Sequence, residues 1–203
     1  TETFEAADTA EYKTSFFALN SLPAFDFVTG NNGRLRTFIN SGVAVNGGKA
    51  ITLDAVNYNG TTAANQLTAT VNLSNYSAAQ GLRFDFNFKN HGQLKQPGTG
   101  VWIRGSDTNP WVYVYDLSAN QGKPGDVKRV SINLNELGQT LSSSFQIRFD
   151  QQSTTSANNA TYDADNDDMD DGFTFDDLRI VQATNDVLLT QLVAPDTFLC
   201  NAN

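Results

Sequence analysis

Apolar and polar residues alternate with period two along most of this chain, while the 3.6-residue spacing of amphipathic helices is scarce. Within residues 81–89, Leu82, Phe84, Phe86 and Phe88 fall on one face, and Arg83, Asp85, Asn87 and Lys89 on the other. Residues 128–134 repeat the pattern with Val130, Ile132 and Leu134, and residues 144–150 with Phe145, Ile147 and Phe149. Further strands are predicted over 34–39, 50–56, 66–73, 100–105, 111–116 and 172–181. Turn-rich stretches such as Gly30-Asn31-Asn32-Gly33 and Gly122-Lys123-Pro124-Gly125 separate them. One short helix is predicted, around residues 10–19, with Phe16, Phe17 and Leu19 packed on a sheet end. Strands with one polar face belong to antiparallel sheets solvated on one side. About nine or ten of them in one domain imply an all-β fold, a two-sheet antiparallel β-sandwich.

The alternation slips once inside a predicted strand. Phe173 and Phe175 share one parity, Leu178 and Ile180 the other, which predicts a bulge at Asp176-Asp177. Adjacent carboxylates at such an irregularity need compensation where they are buried, from a metal or an arginine. Beyond Val181 comes a polar stretch, a new apolar run over 186–193, Pro195 and the lone Cys200. The expected organisation is a sandwich over 1–183, then over 184–203 a linker and the start of another domain, with one more strand of the same sandwich as the alternative. A single Cys allows no internal disulfide, and its mate is expected in the missing part of that domain.

With 39% hydrophobic and 17% charged residues the chain has the composition of a folded domain. No apolar run reaches the roughly 20 residues of a membrane-spanning helix. The net charge of -9 is local: residues 1–162 hold 12 acidic and 12 basic side chains, whereas residues 163–177 hold eight Asp and no Lys or Arg. A charge-balanced body with one acidic loop does not suit phosphate backbones, so no nucleic-acid partner is expected. A hard cation suits it better. Asp163, Asp165, Asp167, Asp170 and Asp171 lie in one loop and form a candidate second metal site, with a merely solvated loop as the alternative. The EF-hand template fails here: counting from Asp163, the sixth position is Asp168 rather than Gly and the twelfth Thr174 rather than Glu.

Catalytic patterns are poorly supported. Glu occurs only at 2, 5, 11 and 136, so the Glu-x-Asp-x-x-Glu strand pattern of sandwich glycosidases is absent. His91 is the only histidine, and Ser106 lacks a Gly-x-Ser-x-Gly frame. Aromatics offer a binding candidate instead. By strict alternation Trp111, Tyr113 and Tyr115 share one strand face, and Trp102 and Arg104 on a neighbouring strand extend it. Such a row either stacks on sugar rings or fills the core.

Several segments together carry a family resemblance. They are Glu2-Thr3-Phe4-Glu5, Gly33-Arg34-Leu35-Arg36-Thr37-Phe38, Ala50-Ile51-Thr52-Leu53-Asp54, Asn72-Leu73-Ser74-Asn75-Tyr76, the stretch from Val101 to Asp107, Trp111-Val112, and the closing Asp171-Gly172-Phe173-Thr174-Phe175-Asp176-Asp177-Leu178-Arg179-Ile180. In this order they resemble the MAM-like and carbohydrate-module-like jelly rolls of secreted bacterial multidomain surface proteins. The paired cysteines of animal MAM domains are absent, so the animal receptor-adhesion role does not carry over. The resemblance implies a jelly roll with a structural Ca²⁺ where the first strand meets the last, held by Glu5, Asp176, Asp177 and Asp54. It also implies an Ig-like domain after residue 184, and Thr9, in Asp8-Thr9-Ala10, as an O-glycosylation acceptor. The functional expectation is an extracellular or cell-surface, non-enzymatic module for adhesion or for recognition of a glycan or protein, stabilised by calcium. Its alternatives are a glycan-acting enzyme or an accessory module of a secreted hydrolase, and a structural spacer.

Overall fold

A computed structural model describes residues 1–30, 32–39, 44–55, 62–77, 80–91, 95–154 and 172–182. The acidic loop 163–171 and the segment 184–203 lie outside the described residues. The fold is a β-sandwich of the jelly-roll class, all-β as its alternation predicts. Among the described residues eleven strands form two antiparallel sheets. They are β1 (Ala10–Tyr12), β2 (Phe25–Gly30), β3 (Gly33–Ile39), β4 (Lys49–Ala55), β5 (Thr62–Val71), β6 (Leu82–Asn90), β7 (Gly100–Arg104), β8 (Val112–Asp116), β9 (Val127–Asn133), β10 (Phe145–Thr154) and β11 (Gly172–Gln182). One sheet has the order β1-β3-β4-β11-β6-β9, and the other β2-β5-β10-β7-β8.

The inward parities of both sheets are dominated by phenylalanine. Phe84, Phe86 and Phe88 from β6, and Phe173 and Phe175 from β11, meet Phe145 and Phe149 of β10 across the sandwich. Phe149 lies edge-on to Phe86 at 5.2 Å between centroids and 4.3 Å from Phe175. Rings that are essentially unexposed contribute about 1.5–3 kcal/mol each by burial, which makes this cluster the main support of the fold. One end of the interior is polar. Asn65 donates to the Asp54 carbonyl at 2.7 Å and to Gln151 Oε1 at 2.6 Å, and accepts from Thr29 Oγ1 at 2.8 Å.

The structure departs from the sequence reading between residues 10 and 19. Instead of a helix, Ala10–Tyr12 adds an edge strand to β3, and Phe16 bridges Phe27. Leu19 is buried but Phe17 is 68% exposed, so the segment has no single apolar face for a helix to bury. A helix that short is marginal alone, and the open edges of β3 and β2 offer it backbone partners. Among the described residues one α-helical turn forms, α1 (Leu117–Asn120), capped by Asp116 accepting from the Ala119 N–H at 2.7 Å, and a 3-10 turn follows at Leu134–Leu137. The bulge in β11 is where the slipped alternation puts it. Pairing with β6 shifts register between Asp176 and Arg179, and Asp177 has φ of 52°. Among the described residues no helix is long and apolar enough to cross a membrane.

Candidate functional site

The residues expected to hold calcium separate into two groups. Glu5, Asp176 and Asp177 meet at one segment, residues 45–49. Glu5 Oε1 accepts from the Gly48 and Lys49 N–H groups, both at 2.9 Å. Those bonds, Lys49 first, hold its pKa below the ordinary value. Asp176 Oδ2 accepts from the Val45 and Asn46 N–H groups at 2.9 and 3.0 Å, and its Oδ1 from the Asp177 N–H at 2.7 Å. Asp177 Oδ2 accepts from the side-chain amides of Asn87 and Asn46. Burial pushes the Asp176 pKa up against these N–H bonds.

Asp54 does not join them, which corrects its assignment as a fourth ligand. It sits four residues along β4 from Ala50, about 13 Å at strand rise, and its carboxylate is fully buried against two guanidiniums. Arg34 Nε and Nη2 lie 2.7 and 3.3 Å from its oxygens, and Arg36 Nη2 completes the group. Register explains this, because Arg34 pairs directly with Asp54 and Arg36 is two residues on along the same face. Among the described residues no three His, Cys, Asp or Glu side chains converge on one point. A Ca²⁺ bound at the Glu5 end would therefore need Glu5 Oε2, Asp177 Oδ1 and backbone or amide oxygens to close its shell. On the same sheet a depression of about 260 Å³ is lined by Asn46, Asp85, Asn87, Arg129, Asp177 and Arg179.

The aromatic candidates lie on the other sheet, and the strand register shows how they are arranged. Cross-strand rows on the outward face run Val28–Gln66–Asp150–Gly100–Asp116, then Asp26–Thr68–Arg148–Trp102–Tyr113, then Thr70–Gln146–Arg104, with Trp111 just before β8. Tyr115 is not among them. Val101 pairs with Tyr115 but Trp102 with Tyr113, so Val114 is an extra residue in β8. This bulge turns Tyr115 inward, where it meets Phe86 and Phe88 edge-on at 6.2 and 6.3 Å. Tyr113 stays outside, 39% exposed. Gly100 makes room for it: a Cβ there would lie 2.3 Å from Tyr113 Cε2 and 2.5 Å from the Tyr115 carbonyl.

The outward aromatics interleave with arginines. Tyr113 packs on Trp102 at 4.8 Å, and Arg148 lies 5.5 Å from the Trp102 ring and 4.3 Å from that of Trp111. Arg104 lies 4.5 Å from the Trp111 ring. Beneath them Asp150 holds Arg148 through contacts of 2.7 and 3.0 Å. Desolvation still pushes the Asp150 carboxyl up to about 6, against the pull of Arg148 and Gln66. The Tyr113 phenol is pushed up to about 12 by burial and by Asp116. Arg148, Asp150 and Gln146 were legible as candidates from alternation alone. They occupy the polar parity of the strand whose apolar parity is Phe145, Ile147 and Phe149. His91 and Thr9 lie elsewhere: His91 Nε2 bonds Thr174 Oγ1 at 2.7 Å, and Thr9 is exposed just before β1.

No protein-family model matches the chain, and no curated protein matches it. Among solved structures, the K2 cleaved adhesin domain of Lys-gingipain is 13% identical, with 89% of this chain and 98% of that one covered and a TM-score of 0.48. The family 11 carbohydrate-binding module from Clostridium thermocellum, in complex with a β-1,3-1,4-mixed-linked tetrasaccharide, is 13% identical over 87% of this chain and 98% of that one, with a TM-score of 0.43. The CBM22-1 xylan-binding domain from Paenibacillus barcinonensis Xyn10C is 10% identical over 85% and 99%, with a TM-score of 0.38.

Proposed function

We propose that this chain is a recognition module that acts by binding rather than turnover, and that the outward face of its five-stranded sheet takes a glycan. The observation that supports this is the strip Tyr113–Trp102–Arg148–Trp111–Arg104. Phenylalanines already fill the interior, so large rings on the solvent side are not needed for the core. Tyr113, 39% exposed, offers the apolar area and polar tip that suit a partner apolar on its ring faces and polar at its rim. Arg148 is held by Asp150 and Arg104 by Gln146, so less side-chain entropy is lost on binding. The setting we propose is extracellular or cell-surface, within a longer chain that uses the module for adhesion or targeting. A glycan-array screen followed by tryptophan-fluorescence titration tests this: Tyr113→Ala is expected to weaken binding at least about tenfold without unfolding the chain. Absence of binding to any glycan refutes it.

A hydrolase is the second reading, and it draws on one observation, the raised pKa of Asp150 beneath the strip. Arg148 engages both oxygens of that carboxylate, which favours an ion pair over a proton donor. A turnover assay on the glycans bound distinguishes the two, and a spacer would be silent in both experiments.

We further propose that the Glu5–Asp176–Asp177 end binds Ca²⁺. In support, the buried Asp176 carboxylate is compensated by N–H groups, and among the described residues no cationic side chain pairs with it. A metal bound only by the folded chain stabilises it by about 2.7 kcal/mol at a hundredfold excess over Kd. The melting temperature should fall with chelator and recover with Ca²⁺ but hardly with Mg²⁺, which demands a tight octahedron. An unchanged curve after confirmed metal removal rules the site out.

A further inference from the structure

We infer that the ligand of the aromatic face is an acidic glycan whose carboxylate is taken by Arg104; this rests on the glycan reading above. The two guanidiniums of the strip differ in how their charge is met. Arg148 is neutralised by Asp150. Arg104 contacts a neutral partner, donating from Nε to Gln146 Oε1 at 2.6 Å, and no carboxylate pairs with it among the described residues. Gln146 is only 9% exposed and is itself fixed, donating from Nε2 to Thr70 Oγ1 at 2.9 Å. The relay Thr70–Gln146–Arg104 thus fixes the orientation of a guanidinium without cancelling its charge. Trp111 supports it from the side.

The hydrogen-bonding capacity left at this end is mostly donor. Arg104 retains its Nη groups, and Trp102 Nε1 is buried without a partner in the adjacent row. The ring faces are largely taken, that of Trp111 by two guanidiniums and that of Trp102 by Tyr113 and Arg148. A sugar approaching this end therefore meets guanidinium edges rather than an open flat ring, with the unpartnered Trp102 N–H buried behind them. A neutral sugar hydroxyl uses such donors singly. A carboxylate matches the planar guanidinium fork with two parallel bonds, and the charge-assisted bonds are the stronger ones. Asp26, which accepts from the Ala18 N–H, and Asp116, which caps α1, lie in the rows beyond Arg104 and disfavour an anion there, while Asp107, on the loop after β7, accepts from Ser144 Oγ. The net charge of -9 means that bulk electrostatics would repel a polyanion, so any preference for acidic sugars would have to be local.

The test is isothermal titration with uronic-acid oligosaccharides built on glucuronate, galacturonate or mannuronate, and with the same oligosaccharides after reduction of each carboxyl to an alcohol. At least one acidic oligosaccharide is expected to bind about tenfold or more tightly than its reduced form. In Arg104→Gln that ratio should fall to about one, with the melting temperature of the chain preserved. Equal affinity for acidic and reduced forms, or a preference that survives Arg104→Gln, overturns the inference. In either case the face would still be a glycan site. Binding to neither form, nor to any neutral glycan of the array, overturns the glycan reading itself.

Discussion

Replacing Asp54 by Asn tests whether this carboxylate belongs to arginines rather than to a metal. The change keeps the shape of the side chain but removes its charge and points an amide donor at groups that are themselves donors. Asp54 is unexposed, and the side chains of Arg34 and Arg36 are only 13% and 19% exposed. Both guanidiniums would stay charged, because arginine does not give up its proton. Breaking a buried ion pair by removing one partner costs about 3–5 kcal/mol. Glu11 lies 3.0 Å from Arg34 on the solvent side and keeps part of the compensation, so the lower end of that range applies, about 3 kcal/mol. At about 2–4 °C per kcal/mol for a chain of this size, the melting temperature should drop by roughly 6–12 °C. Urea denaturation and thermal melting followed by circular dichroism would read both numbers, with and without chelator. A loss below about 1 kcal/mol would refute the burial argument, since pairs of that worth belong to exposed surfaces. Chelator should take the same increment from the variant as from the native chain. If Asp54→Asn instead abolishes the response to chelator, Asp54 is a ligand and the separation of the two carboxylate groups is wrong.

Three further outcomes are expected. Gly100→Ala drives a methyl into the Tyr113 ring and the Tyr115 carbonyl, costing about 1–3 kcal/mol and changing the near-ultraviolet dichroism; an unchanged spectrum and melting curve would show that the ring does not lie over Gly100. Asp150 titrates at about 6 in the folded chain against an ordinary 3.8, so the folded state holds the extra proton in that window. Its contribution to stability therefore falls as pH rises through that window. The stability difference between the native chain and Asp150→Asn should shift over the same range, and a flat difference from pH 3 to 7 contradicts the assignment. Thr9 is exposed beside Asp8, and material from the native host is expected to carry an O-glycan there; an intact mass equal to that of the bare sequence excludes it.

Most of the strands were legible because each side chain's destination is set by parity, and parity is written directly in runs such as Phe84-Asp85-Phe86-Asn87-Phe88. β2 was harder to see. Phe25 and Phe27 alternate, but only over a short run. β1 is three residues that become a strand only because β3 has an open edge, which is a tertiary cause. The two bulges show the limit of parity more sharply. In β11 the slip is visible, since Phe173 and Phe175 give way to Leu178 and Ile180 within one apolar run, and the break at Asp176-Asp177 follows. In β8 the sequence Val112-Tyr113-Val114-Tyr115 shows no slip, because Val and Tyr are each tolerated on either side of a half-buried strand. Only the pairing partners reveal that Tyr115 faces Val101 and the core while Tyr113 faces Trp102 and solvent. The face cannot be drawn until that extra residue is placed. Once it is, two aromatics on β8 that look equivalent in the sequence part company, and the outward one is the one that Gly100 was shaped to receive.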